Sequence, residues 1–151
     1  MTTTNIQLQE TACRNNIPLV GIYFKNRLPM NVYQGCYIFN LADDTMGEGT
    51  HWTSAVVEGR RVVYFDPFGV IMPENIKHYF RDFLVEYSDK QLQNVNSGVC
   101  GYYVIYFLYY MIHRRKQCPN LFQRMNKFLE LWSDDPEDNR QILEELIKPL
   151  K

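Results

Sequence analysis

The sequence predicts an α+β fold in which a small antiparallel or mixed sheet packs against one buried helix, with further helices on the flanks. Residues 51–57 and 61–65 are strand-like runs joined by Glu58-Gly59-Arg60, which is typical of a β-hairpin. Residues 102–112 are almost wholly apolar or aromatic, which indicates a buried helix. Apolar stripes at helical spacing elsewhere in the chain predict the flanking helices.

The first third of the chain predicts one helix and two strands. The threonines at positions 2–4 are suited to capping a short amphipathic helix. The apolar runs at residues 17–24 and 36–41 predict strands. Residues 43–50 are polar and rich in glycine, which predicts a loop that leads directly into the hairpin.

The remainder of the chain predicts a helix, a strand and three more helices. Pro73 suits the first position of a helix whose apolar face extends to Leu84. Residues 90–95 predict a short strand that leads into the buried helix. An apolar stripe over residues 121–132 predicts the next helix, and Asp135 followed by proline predicts the start of the last.

Composition restricts the class of protein. A chain of 151 residues with 46% hydrophobic residues is long enough for one domain, residues 1–151, with a core that needs no disulfide or metal. Its 16 basic and 17 acidic residues leave a net charge of −1 and no general field for nucleic acid. The one basic cluster, residues 113–116, has the position of a cationic helix end. No segment is apolar for long enough to span a membrane.

The cysteines predict a reduced, intracellular protein. The four residues are Cys13, Cys36, Cys100 and Cys118. They show no CxxC spacing, and no secretory signal precedes them. Their wide spacing argues against a zinc site, and we expect neither a metal nor a cofactor.

Cys100 lies between a polar loop, residues 94–99, and the buried helix. At the first turn of a helix, unpaired N–H groups and the macrodipole favour a thiolate, and the same groups can donate to an oxyanion. His51 begins one hairpin strand and Asp66 follows the other. Taken singly, these residues have ordinary interpretations as a buried cysteine, a structural histidine and a turn aspartate. Together they are the parts of a cysteine-nucleophile triad.

Further residues near these positions predict an oxyanion hole and a substrate cleft. The side-chain amide of Gln93 and the backbone N–H of Cys100 would donate to the oxyanion. Gly101 would allow close approach of substrate, and Trp52 would form a wall of the cleft. The predicted substrate-binding residues are Trp52, Gly49, Gly98 and Gly101.

Three segments carry a resemblance to a known family. They are GEGTHW at residues 47–52, YFDPFG at 64–69 and QNVNSGVCG at 93–101. These segments resemble those of the adenovirus-type maturation proteases, cysteine endopeptidases of the clan shared with the proteases of SUMO and other ubiquitin-like proteins. The resemblance extends from about Ile17 to Tyr110. The compact chain looks like the proteases of virophages or polinton-type elements.

The resemblance implies roles for four residues. Cys100 would be the nucleophile, His51 the general base, Asp66 the orienting acid and Gln93 the oxyanion donor. The adenovirus enzymes usually carry glutamate where this chain has Asp66, whereas the ubiquitin-like-protein proteases carry aspartate. Family members cleave after small residues in Gly-Gly or Gly-X-Gly contexts. The implied substrates are viral capsid and structural precursors, processed during particle assembly.

The resemblance also bears on partners and location. The adenovirus enzymes are stimulated by DNA and by a peptide that pairs through a cysteine. The near-neutral charge of this chain argues against a DNA cofactor. For an activating peptide, Cys118 is the residue to consider. The implied location is the virion or the viral assembly site inside the host cell, with no membrane contact.

Three other functions are compatible with these residues. A deconjugase of ubiquitin or a relative would share the Gly-Gly preference, although the short chain leaves little surface for a folded substrate. Acetyl transfer through the same thiol would need an acyl-CoA and a basic pocket, which the sequence does not indicate. A non-catalytic capsid-binding module would have no need of all four site residues.

Overall fold

The computed structural model describes residues 3–42, 51–94 and 100–151, and these contain one five-stranded sheet with its strands in chain order. The strands are β1 Leu19–Phe24, β2 Gly35–Asn40, β3 Trp52–Glu58, β4 Arg61–Phe65 and β5 Leu84–Tyr87. β2, β3 and β4 pair antiparallel, whereas the outer pairs β1–β2 and β4–β5 are parallel. The sheet is therefore mixed, and the predicted α+β class is confirmed.

The predicted hairpin is formed by β3 and β4. Glu58 and Arg61 are paired across the strand ends, with Gly59 and Arg60 between them. Gly59 has φ of 61°, a left-handed conformation that a two-residue hairpin turn requires and that glycine adopts without a steric cost. The hairpin forms the centre of the sheet and brings the start of β3 and the end of β4 to the same edge.

In the described part of the chain, five α-helices pack against the two faces of the sheet. They are α1 Asn5–Arg14, α2 Glu74–Tyr79, α3 Cys100–His113, α4 Leu121–Leu129 and α5 Pro136–Ile147. Three of them have side-chain N-caps, which satisfy amide groups of the first helical turn. Thr4 caps α1 in a reciprocal capping box with Gln7, Asn120 caps α4, and Asp135 caps α5. The predicted start of α5 at Asp135-Pro136 is confirmed.

The two faces of the sheet carry separate hydrophobic cores. On one face, α3 packs with α1, α4 and α5 over inward-facing strand residues that include Ile38, Val56 and Phe65. On the other face, α2 covers the alternate strand residues, including Tyr37 and Tyr64. This alternation follows from the two-residue period of side chains along a strand. α3 is the central helix that the apolar run predicted, and it begins at the candidate nucleophile.

One predicted helix is shorter than expected, and one predicted strand is not found in the described residues. The helix after Pro73 ends at Tyr79, and Leu84 belongs to β5 rather than to a helical face. β5 pairs with β4 in parallel as the outermost strand, so the backbone groups of its β-favouring residues form hydrogen bonds with β4. The strand predicted at residues 90–95 is absent from its described part, residues 90–94, whose backbone is held by other contacts.

Within the described residues, no helix combines the length and apolar character of a membrane crossing. The same residues contain no group of three or more histidine, cysteine or acidic side chains arranged to hold a metal ion.

Candidate active site

His51 and Asp66 meet at the edge of the sheet where β3 begins and β4 ends. His51 directly precedes β3, and its carbonyl accepts a hydrogen bond from the backbone N–H of Leu41 at 3.1 Å. Asp66 directly follows β4 and has only 1% of its surface exposed. The Nε2 atom of His51 lies 2.8 Å from Oδ1 of Asp66. The hairpin thus places a buried carboxylate against one nitrogen of the imidazole.

A tight turn fixes the Asp66 carboxylate. Its Oδ1 atom also accepts the backbone N–H of Phe68 at 2.8 Å, and its carbonyl accepts the N–H of Gly69 at 2.8 Å. Gly69 has φ of 72°, and a Cβ there would lie 2.8 Å from the carbonyl oxygen of Asp89. A side chain at this position would therefore meet both backbone strain and a backbone clash. Sequence reasoning identified the turn but not its close packing on the segment that follows β5.

Cys100 is brought to the same histidine from the other side of the fold. It is the first residue of α3, is 3% exposed, and is a hydrogen-bond partner of the His51 side chain. Since Nε2 faces Asp66, Nδ1 is the ring nitrogen left to face the thiol. Nδ1 is buried and has no nitrogen or oxygen partner among the described residues. The structure therefore brings together the three residues that the sequence predicted as a triad.

The surroundings of His51 stabilise its charged form. Burial lowers the pKa of His51, but its hydrogen bonds to Asp66 and Cys100 and the electrostatic effects of these two groups outweigh burial and raise it from 6.5 to about 9. An imidazolium between a carboxylate and a sulfur at a helix N-terminus is the arrangement that supports a thiolate. The contacts of this histidine therefore favour its protonated form.

Phe68 covers one face of the His51 ring. The two rings are stacked, with centroids 4.2 Å apart and planes within 8° of parallel. The stack adds an apolar surface against the imidazole and restricts its rotation away from Asp66. This contact was missed at the sequence level, where Phe68 was only part of a motif. An aromatic residue two positions after the predicted acid was the available signal.

Gln93 lies on the segment that packs against the Asp66 turn. Its backbone N–H and that of Leu92 both donate to the carbonyl of Pro67, at 3.1 Å and 2.9 Å. The side chain of Gln93 is 1% exposed. The structure therefore anchors the predicted oxyanion donor to the residue that follows the candidate acid. Its role as a donor to the oxyanion stays a prediction.

Trp52 and Gly101, predicted to contact substrate, both contact Thr3. The indole Nε1 of Trp52 donates to the carbonyl of Thr3 at 3.2 Å, and Trp52 is buried. A Cβ on Gly101 would lie 1.7 Å from Oγ1 of Thr3. Both residues thus serve the packing of the segment before α1 against α3. Their contribution to a substrate cleft stays a prediction.

Two other predicted substrate-binding residues, Gly49 and Gly98, lie outside the described residues. The polar loops predicted at residues 43–50 and 94–99 lie outside them as well, except for Asn94. The basic cluster at 113–116 begins at the last residue of α3, and two of its residues contact other parts of the fold. His113 Nε2 donates to the carbonyl of Asn15 at 2.9 Å, and Arg115 pairs with Glu58 at 3.2 Å.

Comparisons with known proteins found a likeness in structure but none in sequence. No family model and no curated protein matches the sequence. The fold is similar to the crystal structure of the ASFV pS273R protease, with a TM-score of 0.47 and 13% sequence identity. The similarity covers 82% of this chain and 61% of that protease. This chain therefore spans less than two thirds of the length of that protein.

Proposed function

We propose that this protein is a cysteine endopeptidase that cleaves viral capsid and structural precursors after small residues. The observation that carries the proposal is the convergence on one imidazole of the buried Asp66 carboxylate, at 2.8 Å, and the Cys100 thiol at the start of α3. The adenovirus-type sequence segments support the choice of precursor proteins as substrates. The virion or the viral assembly site is the proposed location.

The proposed reaction begins with a proton already on the histidine. The thiolate of Cys100 attacks the peptide carbonyl carbon, and the resulting tetrahedral intermediate carries a negative oxygen. The imidazolium of His51 then gives its proton to the leaving amine as the C–N bond breaks. A water molecule, deprotonated by His51, hydrolyses the thioester and returns Cys100. Asp66 stabilises the imidazolium and keeps the ring in the orientation that these transfers need.

The oxyanion would be stabilised at the N-terminus of α3. The backbone N–H of Cys100 and the side-chain amide of Gln93 are the proposed donors. One such donor contributes about 2.7–4 kcal/mol to transition-state stabilisation in related chemistry, so Gln93→Ala should lower kcat by about 100-fold or more. The same variant should leave thiolate formation intact, because Gln93 takes no part in the proton transfer.

The first test is the pH dependence of Cys100 alkylation by iodoacetamide in wild type and in His51→Ala. We expect rapid labelling of wild type in mildly acidic solution and a large loss of that rate in the variant, because the imidazolium partner is removed. Mass spectrometry of the labelled peptide distinguishes Cys100 from the exposed Cys13. Equal, slow labelling of both proteins would contradict an activated thiol.

The second test separates substrates. Peptides with Gly-Gly and Gly-X-Gly sites, capsid precursors and a ubiquitin C-terminal probe are offered to wild type and to Cys100→Ala. Cleavage of the precursors by wild type alone is the expected result. Labelling of Cys100 by the ubiquitin probe without precursor cleavage would favour a deconjugase. Precursor binding without any cleavage would instead favour a capsid-binding module.

A further inference from the structure

The segment that carries Gln93 is held by contacts from three parts of the fold. On one side, the N–H groups of Leu92 and Gln93 donate to the carbonyl of Pro67, next to Asp66. On the other side, the carbonyl of Leu92 accepts the Nδ2 group of Asn139 at 3.2 Å and the hydroxyl of Tyr103 at 3.3 Å. Both of these donors are buried. The peptide unit that joins Leu92 to Gln93 thus forms hydrogen bonds through both its carbonyl and its N–H group, although neither residue belongs to a strand.

Asn139 is an unusual residue for its position on α5. It shares the buried face of that helix with Leu143 and Ile147, and it has no exposed surface. Besides the bond to Leu92, its Nδ2 group donates to the carbonyl of Ser133 at 2.9 Å, and its Oδ1 atom accepts the N–H of Ser133 at 2.7 Å. An amide is tolerated in such a place only when its polar atoms are paired. Each of these pairings fixes the amide in one orientation.

We propose that Asn139 is a positioning residue for acyl transfer, which acts by fixing the Leu92–Gln93 backbone so that the Gln93 side chain stays aligned with the oxyanion. This inference rests on the proposed function. It connects the last helix of the chain to the reaction without any contact between Asn139 and substrate. Displacement of a catalytic group by about 1 Å can lower a rate by about 100-fold. Loss of the hydrogen bond from Asn139 to the Leu92 carbonyl would therefore lower the rate of acyl transfer substantially.

The test compares Asn139→Ala with wild type by three measurements. We expect kcat for a Gly-Gly peptide to fall about ten- to hundredfold with little change in KM, because oxyanion stabilisation acts in the transition state. Alkylation of Cys100 should keep its wild-type rate, since the His51–Cys100 pair does not depend on Gln93. Hydrogen exchange at the Leu92 and Gln93 amides should accelerate.

A double variant tests whether Asn139 acts through Gln93. Gln93→Ala combined with Asn139→Ala should be no slower than Gln93→Ala alone, because the positioned group is already missing. The matched control is Asp135→Ala, which removes the α5 N-cap hydrogen bond to Glu137 but leaves the Asn139–Leu92 bond in place. This control should lower thermal stability and leave kcat unchanged.

Three results would overturn the proposal. The first is that Asn139→Ala lowers the rate of Cys100 alkylation as much as it lowers kcat. The second is that the losses of kcat multiply in the double variant. The third is that hydrogen exchange at the Leu92 and Gln93 amides is the same in Asn139→Ala as in wild type. If Asn139→Ala does not fold, Tyr103→Phe removes the other donor to the same carbonyl and is subject to the same criteria. Should wild type cleave no peptide, the proposed protease function fails, whereas hydrogen exchange still decides whether Asn139 fixes the Leu92–Gln93 backbone.

Discussion

At the scale of single residues, the site depends on how His51 is surrounded. Its Nε2 atom faces the buried Asp66 carboxylate at 2.8 Å, one ring face lies on Phe68, and Cys100 is its third partner. A histidine in such surroundings retains its proton well above neutral pH, and its pKa is raised to about 9. These surroundings favour the imidazolium, which is the form that the proposed reaction requires.

The raised pKa of His51 predicts the alkaline limit of the activity. The proton that goes to the leaving amine is present below the pKa and is lost as pH rises through about 9, so kcat/KM for a peptide substrate should fall above that pH. The groups that face the imidazole and raise its pKa are Asp66 and Cys100. The check is a kcat/KM profile from mildly acidic to strongly alkaline pH, at constant ionic strength.

Asp66→Asn is the matched variant for that profile. It keeps the size of the side chain but removes the negative charge that favours the imidazolium, so the alkaline fall should move to lower pH. A profile whose alkaline limb stays in place in this variant would show that the limb does not report His51.

At the scale of elements, the hairpin and α4 are joined by a buried ion pair. Arg124 on α4 has no exposed surface and donates to both carboxylate oxygens of Glu58 at the end of β3, at 2.5 Å and 3.3 Å. Arg115 contacts the same carboxylate at 3.2 Å. This pair lies at the end of β3 opposite to His51, so it stabilises the fold without contacting the candidate site.

Removal of one partner of this pair should be costly. Glu58→Ala leaves the buried guanidinium of Arg124 without its carboxylate, and we expect the free energy of unfolding to fall by about 3 kcal/mol. Urea unfolding monitored by tryptophan fluorescence measures the change. Glu145→Ala is the control, because its ion pair with Lys148 is exposed and should contribute little. The rate of Cys100 alkylation in the folded Glu58 variant should match wild type; a slower rate would link this end of the hairpin to the site.

At the scale of the whole molecule, the charge of the protein restricts the kinds of partner that it can attract. The net charge is −1, and residues of the basic cluster at 113–116 are engaged within the protein, with Arg114 over the Tyr110 ring and Arg115 paired with Glu58. Since the net charge is −1 and Arg115 is paired with a carboxylate, the protein has no strong positive field to attract a polyanion.

We accordingly predict that duplex DNA does not accelerate peptide hydrolysis. A protein that contacts six phosphates would show a slope of log affinity against log salt concentration of about −5, whereas this protein should show no measurable binding at physiological salt. Fluorescence anisotropy with a labelled duplex and hydrolysis assays with and without that duplex provide the check. Salt-sensitive binding together with faster hydrolysis would contradict the prediction and would restore DNA as an activator.

Local sequence signals were sufficient for several parts of this fold. Glycine in the hairpin turn, the Asp135-Pro136 helix start and the apolar run of α3 each act over a few residues, and the structure contains all three elements. Periodicity was misleading at Leu84, because an exposed edge strand and the end of a short helix present similar patterns of apolar residues. Pairing with β4 decided between them.

The sequence by itself determined which residues are chemically suited to a thiol-nucleophile site and on which local elements His51, Asp66 and Cys100 lie. Only the tertiary structure decided that these residues meet, that Phe68 covers the imidazole, and that Asn139 reaches the Leu92 carbonyl across 47 residues of chain. The physical reason is the range of the interactions. Turns, caps and helical periodicity depend on near neighbours, whereas the site depends on how the sheet edge, α3 and α5 pack together.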